Sequence, residues 1–146
     1  MKICRKSRSL FQVKIRWAII LMTPLLLSPA WAETGITNTI NGVNTNAGAT
    51  FTIGNTGPFN ALIITNAGSV SNGVGIIGST AAGSNNSVLV TDPGSAWTNI
   101  GSLTIGASAS ANQLIITNGG FVKSTTADIG KVGNKNSVMV TGSNSV

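Results

Sequence analysis

Short apolar segments separated by polar turns recur along most of this chain. Segments of the type LIIT, VLVT, LIIT and VMVT begin at Leu62, Val88, Leu114 and Val138, at a spacing of 26, 26 and 24 residues. An apolar residue followed by glycine recurs as a second landmark, at Ile53-Gly54, Ile77-Gly78, Ile105-Gly106 and Ile129-Gly130. A fixed period of this size indicates an architecture of stacked repeats.

Each repeat contains three short segments of strand-forming residues, and after Leu27 no apolar residues follow a helical period. Turn-forming Asn, Gly, Ser and Asp separate these segments. The pattern predicts an all-β parallel β-helix of about four to five coils, in which equivalent residues stack at about 4.8 Å. Stacking would produce asparagine, threonine and interior aliphatic columns: Asn60/Asn86/Asn112/Asn136, Thr65/Thr91/Thr117/Thr141 and Leu62/Val88/Leu114/Val138. An antiparallel β-sandwich, which also has short strands at regular intervals, is the alternative.

The first 32 residues have the composition of a secretory signal peptide. Six of the nine Lys and Arg residues lie within the first sixteen positions, and an apolar segment, Trp17–Leu27, and Ala30-Trp31-Ala32 follow them. A segment of eleven residues is too short to span a bilayer as a helix. We predict a helical signal peptide over residues 1–32, recognised by the Sec export machinery and cleaved after Ala32. An uncleaved amphipathic anchor is the alternative.

Removal of this leader changes the charge balance and the candidate chemistry. The remaining three lysines and three acidic residues cancel, so the net charge of +6 belongs to the leader and no nucleic-acid partner is expected. The remaining chain has no His, Cys, Tyr or Arg. We therefore predict no catalytic residue, no cofactor and no metal site. A β-helical enzyme that acts on polysaccharides through Asp92 and Asp128 is the less favoured alternative.

Residues 73–78, GVGIIG, match the G-x-G-x-x-G dinucleotide fingerprint. That fingerprint binds a pyrophosphate only where a helix begins directly after it, because the helix N-terminus supplies the donors. The sequence that follows, STAAGSNNS, predicts no helix. We interpret this glycine-rich segment as a turn.

A family resemblance becomes specific at two consecutive segments. VLVTDPGSAWTNIGSLTIG (Val88–Gly106) followed by NQLIITNGGFV (Asn112–Val122) resembles the repeat of bacterial autotransporter passenger domains, which surface proteins with a PEP-type sorting signal share. Gly-Ser-x-Trp and the downstream Leu-Thr-Ile-Gly are its most distinctive parts, and the resemblance covers residues 60–146. It implies a right-handed β-helix that is exported and displayed at the cell surface, at the outer membrane or beyond it. For a fragment without a barrel it implies the periplasm.

The domain prediction follows from the repeats and the resemblance. Residues 33–59 are expected to form an N-terminal capping coil, and residues 60–146 the repeats, truncated in the last one. Neither the C-terminal barrel of autotransporters nor a sorting tail is recognisable in the sequence. The chain is therefore expected to be an N-terminal passenger fragment whose barrel, if it has one, lies elsewhere.

The strand pattern also predicts an interaction surface. Three successive apolar residues in a strand cannot all point inward, because side chains alternate. If Leu62 and Ile64 face inward, an apolar stripe lies outside, formed by Ile63, Leu89, Ile115 and Met139. Such stripes mark contact surfaces unless another segment covers them. Trp97 occupies the repeat position that Val70 and Val122 hold in neighbouring coils, which favours a role for its side chain in packing. The alternative is that Trp97 belongs to the interaction surface and is a platform on which a ligand stacks.

The predicted function is therefore a non-enzymatic spacer or adhesin-type rod. A module that binds glycans or a host surface through the polar ladders and Trp97 is the alternative. The open edge of the last coil also predicts self-association in solution, since unpaired strands template pairing with other chains.

Overall fold

The computed structural model describes residues 34–146, which form an all-β parallel solenoid of about four turns. The predicted signal peptide, residues 1–32, lies outside the described residues. The strands are β1 Thr37–Asn41, β2 Asn44–Asn46, β3 Thr50–Ile53, β4 Ala61–Thr65, β5 Ser69–Asn72, β6 Val74–Ile77, β7 Ser87–Thr91, β8 Ala96–Asn99, β9 Ser102–Ile105, β10 Gln113–Thr117, β11 Phe121–Lys123, β12 Thr126–Ile129 and β13 Ser137–Val140. Residues 34–146 contain no helix with the length and apolar character needed to cross a membrane.

Three sheets run along the solenoid; each of the first four coils contributes one strand to each sheet, and β13 adds a fifth strand to one of them. Their strand orders are β1-β4-β7-β10-β13, β2-β5-β8-β11 and β3-β6-β9-β12. All of these pairings are parallel, so the β-sandwich alternative is wrong. Leu62 pairs with Val88, Val88 with Leu114 and Leu114 with Val138, which confirms the period of 26, 26 and 24 residues.

The first coil has the same three strands as the coils that follow it. β1 pairs with β4, β2 with β5 and β3 with β6. It differs in its interior, because Asn38 occupies the position that Leu62 fills in the second coil. The side-chain nitrogen of Asn38 is buried and has no hydrogen-bond partner in the described part of the chain. A capping role for this coil stays a prediction.

Alternate strand residues fill the interior of the solenoid. The core consists of Ala47, Phe51, Ile53, Leu62, Ile64, Val70, Ile77, Val88, Val90, Trp97, Leu103, Ile105, Leu114 and Ile116. Strands β4, β7 and β10 bury their second and fourth residues and leave the others partly exposed. This alternation is the expected pattern for strands with one face in a core and one in solvent.

A ladder of asparagines, buried except for the half-buried Asn136, forms the corner at which each coil begins. The Oδ1 atom of Asn60 accepts from the backbone N–H of Ile36 at 3.1 Å, and the Oδ1 atom of Asn86 accepts from that of Asn60 at 2.7 Å. Asn112 and Asn136 continue the series at 2.9 Å each. Each asparagine thus satisfies the backbone donor of the preceding coil, and the predicted asparagine column is confirmed.

The apolar-glycine landmark has its physical reason in this ladder. Gly54, Gly78 and Gly106 all have positive φ, which a residue with a side chain adopts only with strain. A Cβ added at these positions would lie 2.0, 2.2 and 2.0 Å from the amide nitrogens of Asn86, Asn112 and Asn136, respectively. Glycine is therefore required both by the backbone conformation and by the asparagine packed against it.

Candidate interaction surface

The predicted apolar stripe lies in one column on the outer face of the five-stranded sheet. Ile63 pairs with Leu89, Leu89 with Ile115 and Ile115 with Met139. Ile63, Leu89 and Ile115 are half-buried by their neighbours, whereas Met139 is 44% exposed. We refer to these four residues as the outer column. Its position agrees with the alternation argument, and its role in binding stays a prediction.

Polar and small side chains border the outer column on both sides. Two positions before the outer column, the strands hold Ala61, Ser87, Gln113 and Ser137, and two positions after it the chain holds Thr65, Thr91, Thr117 and Thr141. The outer column begins only in the second coil, because Thr39 pairs with Ile63 in the first. It therefore forms an apolar strip four strands long, about 14 Å at the spacing of strands in a sheet.

Trp97 is not part of this surface, and the prediction that placed it there as a ligand-stacking platform is wrong. Its side chain is 0% exposed and fills the interior beside Phe51, with the ring centroids 6.4 Å apart and the planes at 89°. Edge-to-face contact of this kind is a favourable geometry for two aromatic rings. The packing interpretation is confirmed, since Trp97 pairs with Val70 and Val122 in register.

A buried polar chain accompanies the Trp97 ring. Its Nε1–H donates to Oδ1 of Asn72 at 2.7 Å, and Nδ2 of Asn72 donates to Oδ1 of Asn99 at 2.7 Å. Nδ2 of Asn99 then donates to the carbonyl oxygen of Lys123 at 3.2 Å. An unpaired polar group in a core costs free energy. This series of hydrogen bonds therefore allows one indole and two amide side chains to lie inside the solenoid.

Gly75 provides the space that the indole occupies. It pairs with Leu103 on one side and Phe51 on the other, and an added Cβ would lie 2.9 Å from the Trp97 ring. The interpretation of residues 73–78 as a turn is therefore wrong at its centre, because β6 runs from Val74 to Ile77. The residues after β6 form no helix, so the fingerprint lacks the donors that a pyrophosphate requires.

Asp92 lies at an outer corner, where both oxygens of its carboxylate accept hydrogen bonds. Its carboxylate accepts hydrogen bonds from the hydroxyl of Thr65, from the backbone N–H of Asn66 at 3.3 Å and from Nδ2 of Asn118 at 2.8 Å. These bonds, with that from Thr65 the largest, hold the pKa of Asp92 below its ordinary value. A carboxylate stabilised in its charged form is a weak base, which suits a structural role better than proton transfer.

Asp92 is the first residue of a tight turn, Asp92-Pro93-Gly94-Ser95. The backbone N–H of Ser95 donates to the carbonyl oxygen of Asp92 at 3.1 Å, and Gly94 has a φ of 84°. Pro at the second position and a positive-φ Gly at the third are typical of a type II turn. The Ser95 hydroxyl is buried and accepts from the N–H of Ala67 at 3.1 Å, which links this corner to the coil below.

The two aspartates of the described chain do not form a catalytic pair. Asp92 follows β7 in the five-stranded sheet, whereas Asp128 lies exposed in β12 of another sheet. Paired carboxylates must flank the same bond to act as acid and base on it. Within residues 34–146, no three His, Cys, Asp or Glu side chains lie close enough to hold a metal ion.

The structure also exposes apolar side chains that the sequence pattern did not single out. They include Val43, Phe59, Ile100, Phe121 and Val132. Phe59 and Ile100 lie between strands, where alternation gives no information about direction, so no signal in the sequence identified them. They are dispersed over different coils and corners rather than aligned in one column.

The fold and these contacts define a β-solenoid with an apolar strip on one outer face. No protein-family model, curated protein or solved structure matches the chain.

Proposed function

We propose that this protein is a non-enzymatic, exported β-helical rod, a passenger fragment of an autotransporter-like surface protein that acts as a spacer or adhesin. The observation that carries the proposal is the outer column, an apolar strip along the outside of an otherwise uniform stack of coils. A stack presents the same chemistry at regular intervals, so each further coil lengthens a contact surface. Spacer and adhesin roles both use this linear repetition.

The adhesive role is testable by polar substitution within the outer column. Leu89→Thr combined with Ile115→Thr places strand-forming, β-branched threonines at both positions but removes most of the apolar area at the centre of the strip. We expect retention of the purified chain on host-cell monolayers to fall roughly tenfold, because two apolar contacts are lost. Ile76→Thr is the matched control, since Ile76 is also a half-buried outward residue but lies in a different sheet.

Unchanged retention of the double variant, with wild-type circular dichroism, would refute the adhesive role and leave only a spacer. Equal losses in the double variant and the Ile76→Thr control would refute a role specific to this face. The glycan-binding alternative no longer includes Trp97, because a fully buried ring offers no platform to a sugar.

The proposal includes export by the Sec machinery, followed by display at the cell surface or outer membrane or by release into the periplasm. It rests on the leader composition and the repeat resemblance. Mass spectrometry of the chain recovered from a Gram-negative host should give a mature N-terminus at Glu33. Recovery of the intact chain from the cytoplasm would contradict it.

We also propose a right-handed winding. Parallel strands joined by a crossover connection in one sheet are right-handed in about 98% of cases. Each strand of the five-stranded sheet joins its parallel neighbour through two strands of other sheets, which is such a crossover. An experimental map showing left-handed coils would overturn this part.

A further inference from the structure

One corner of the solenoid has the left-handed backbone conformation in every coil. It precedes the strands of the five-stranded sheet and lies next to the asparagine ladder. The first four residues at this position donate their N–H groups to carbonyl oxygens of the next coil, at 2.9 to 3.3 Å, so the series is stacked. We refer to it as the corner column: Gly35, Phe59, Asn85, Ala111 and Lys135, with φ between 57° and 73°.

Phe59 is an unfavourable residue for this conformation. Glycine and asparagine adopt positive φ readily, whereas a bulky residue is strained there. Burial does not offset the strain, because Phe59 is 62% exposed. Phe51, by contrast, is 1% exposed and forms part of the core. A strained residue that is also exposed indicates a role in contact with another molecule.

The neighbours of Phe59 in the corner column leave its ring accessible and add polar groups. Gly35, on one side, has no side chain, and Asn85, on the other, is exposed. The Asn85 carboxamide offers two donors and an acceptor oxygen. Ala111 follows with a single methyl group, and Lys135 then contributes an exposed ammonium group. Phe59 and Lys135 are three strand spacings apart, which is about 14 Å.

This order of groups fits an acidic oligosaccharide. The C–H face of a sugar ring is apolar and stacks on an aromatic ring, and the hydroxyl groups of the sugar exchange hydrogen bonds with a carboxamide. The carboxylate of a uronic acid pairs with an ammonium group. Lys135 is the one charged residue of the corner column, and Lys131 of the same loop is also exposed. The acidic side chains of residues 34–146 lie elsewhere, Asp92 after β7 and Asp128 in β12.

Two other classes of partner fit the corner column less well. A peptide strand binds to unpaired backbone groups, whereas the first four N–H groups of the corner column already donate within the solenoid. A membrane surface requires a continuous apolar face. Here Asn85 and Lys135 lie in the same column as the single aromatic ring.

We propose that the corner column binds an acidic oligosaccharide. One sugar ring stacks on Phe59, and hydroxyl groups beside it bond to the carboxamide of Asn85. A carboxylate further along the oligosaccharide pairs with Lys135. The site uses none of the four residues of the outer column, so it is independent of the adhesive role proposed for that surface.

The test is an NMR titration of the isotope-labelled, full-length chain with oligogalacturonate, followed at the backbone amides. A residue-resolved method is needed because the six cations within the first sixteen residues also attract acidic glycans. We expect saturable shift changes at the amides of Phe59, Asn85 and Lys135, with one common dissociation constant. The fully methyl-esterified oligosaccharide should bind there about tenfold more weakly, because the charge-assisted hydrogen bond is lost.

The Phe59→Asn variant separates the role of the ring from a structural role. Binding should weaken about tenfold, because the stacking area is lost. The melting temperature should stay the same or rise, because asparagine adopts positive φ more readily than phenylalanine. Ile100→Asn is the matched control, since Ile100 is 78% exposed but lies at another corner, and it should leave binding unchanged.

The Lys135→Gln variant tests the charge. It should weaken binding of the acidic oligosaccharide and leave binding of the methyl ester unchanged. Lys123→Gln is the matched control, because Lys123 is also exposed but lies in β11 of another sheet. Equal losses in the two lysine variants would refute a specific role for Lys135.

Three other results would overturn the proposal. The first is unchanged binding in Phe59→Asn, and the second is an equal loss in Ile100→Asn, because unspecific apolar adsorption would then explain both. The third is the absence of saturable shift changes in the corner column. Shift changes there with phosphatidylglycerol vesicles, but not with the oligosaccharide, would assign the column to a membrane surface instead.

Discussion

The asparagine ladder predicts a large and specific coupling between Asn86 and Gly54. Asn86→Ala removes the acceptor for the backbone N–H of Asn60 and the donor, at 2.6 Å, for the carbonyl oxygen of Gly83. Both are in a buried corner, and each unsatisfied group costs about 1–3 kcal/mol, so we expect about 2–6 kcal/mol of lost stability. That is a large part of the total stability of a small domain, which is about 5–15 kcal/mol.

Gly54→Ala should destabilise the same corner by a different route. Its Cβ would lie 2.0 Å from Nδ2 of Asn86, and its φ of 71° adds left-handed strain of about 1–2 kcal/mol. In the double variant, Asn86→Ala removes the atoms against which that Cβ would clash. The double variant should therefore lose less stability than the two single variants together, with the strain of Gly54→Ala remaining.

Urea unfolding followed by far-UV circular dichroism measures all three variants. Asn134→Ala is the control, because Asn134 is exposed and outside the ladder. A loss below about 0.5 kcal/mol for Asn86→Ala would refute the reasoning, because surface substitutions have effects of that size. Simple additivity of the two single changes would show that Gly54 and Asn86 do not share this space.

Three further results are expected. Gly75→Ala should lower the melting temperature, because its Cβ would lie 2.2 Å from Oδ1 of Asn99 and 2.9 Å from the Trp97 ring; an unchanged melting curve would contradict that packing. The Trp97→Phe variant should also melt earlier, since Oδ1 of Asn72 loses the indole donor; Asn72→Ala in that background should add little if the two act as one unit. Because folding lowers the pKa of Asp92, its ionised carboxylate stabilises the fold at pH values above the unfolded pKa, and this contribution is lost as the pH falls below about 4. In the Asp92→Asn variant, the free energy of unfolding should therefore fall less steeply with decreasing pH in this range.

The repeat period was enough to predict the sheets and their register. Equivalent positions such as Leu62, Val88 and Leu114 hold similar side chains and can be recognised in the sequence. The sequence spacing between them equals the register in which their strands pair in the solenoid. Stacking then determines the asparagine ladder and the outer column, because residues in register share a direction. These features follow from one-dimensional periodicity and strand alternation.

The interior around Trp97 could not be predicted in the same way. Gly75, Phe51 and Trp97 come from different coils and two sheets, and their fit depends on how the sheets face each other across the core. The corner between β7 and β8 is also one residue longer than the corners between β4 and β5 and between β10 and β11. For this reason Ser69 pairs with Ala96 at a sequence spacing of 27, and Ala96 pairs with Phe121 at a spacing of only 25. The inward direction of Asn72 and Asn99 depends on partners that no local pattern specifies.

The ladder has a consequence for the number of coils. The Oδ1 atom of each asparagine accepts from the backbone N–H of the asparagine one coil earlier. An added coil would therefore satisfy one such N–H and place one equivalent N–H at its own end. The free-energy cost of an unpaired N–H at the end is the same for a short solenoid and a long one, whereas each added coil contributes another buried interface. Gene duplication can therefore lengthen such a chain by whole coils without any redesign of its sequence, and length becomes a property that selection can adjust independently of the fold.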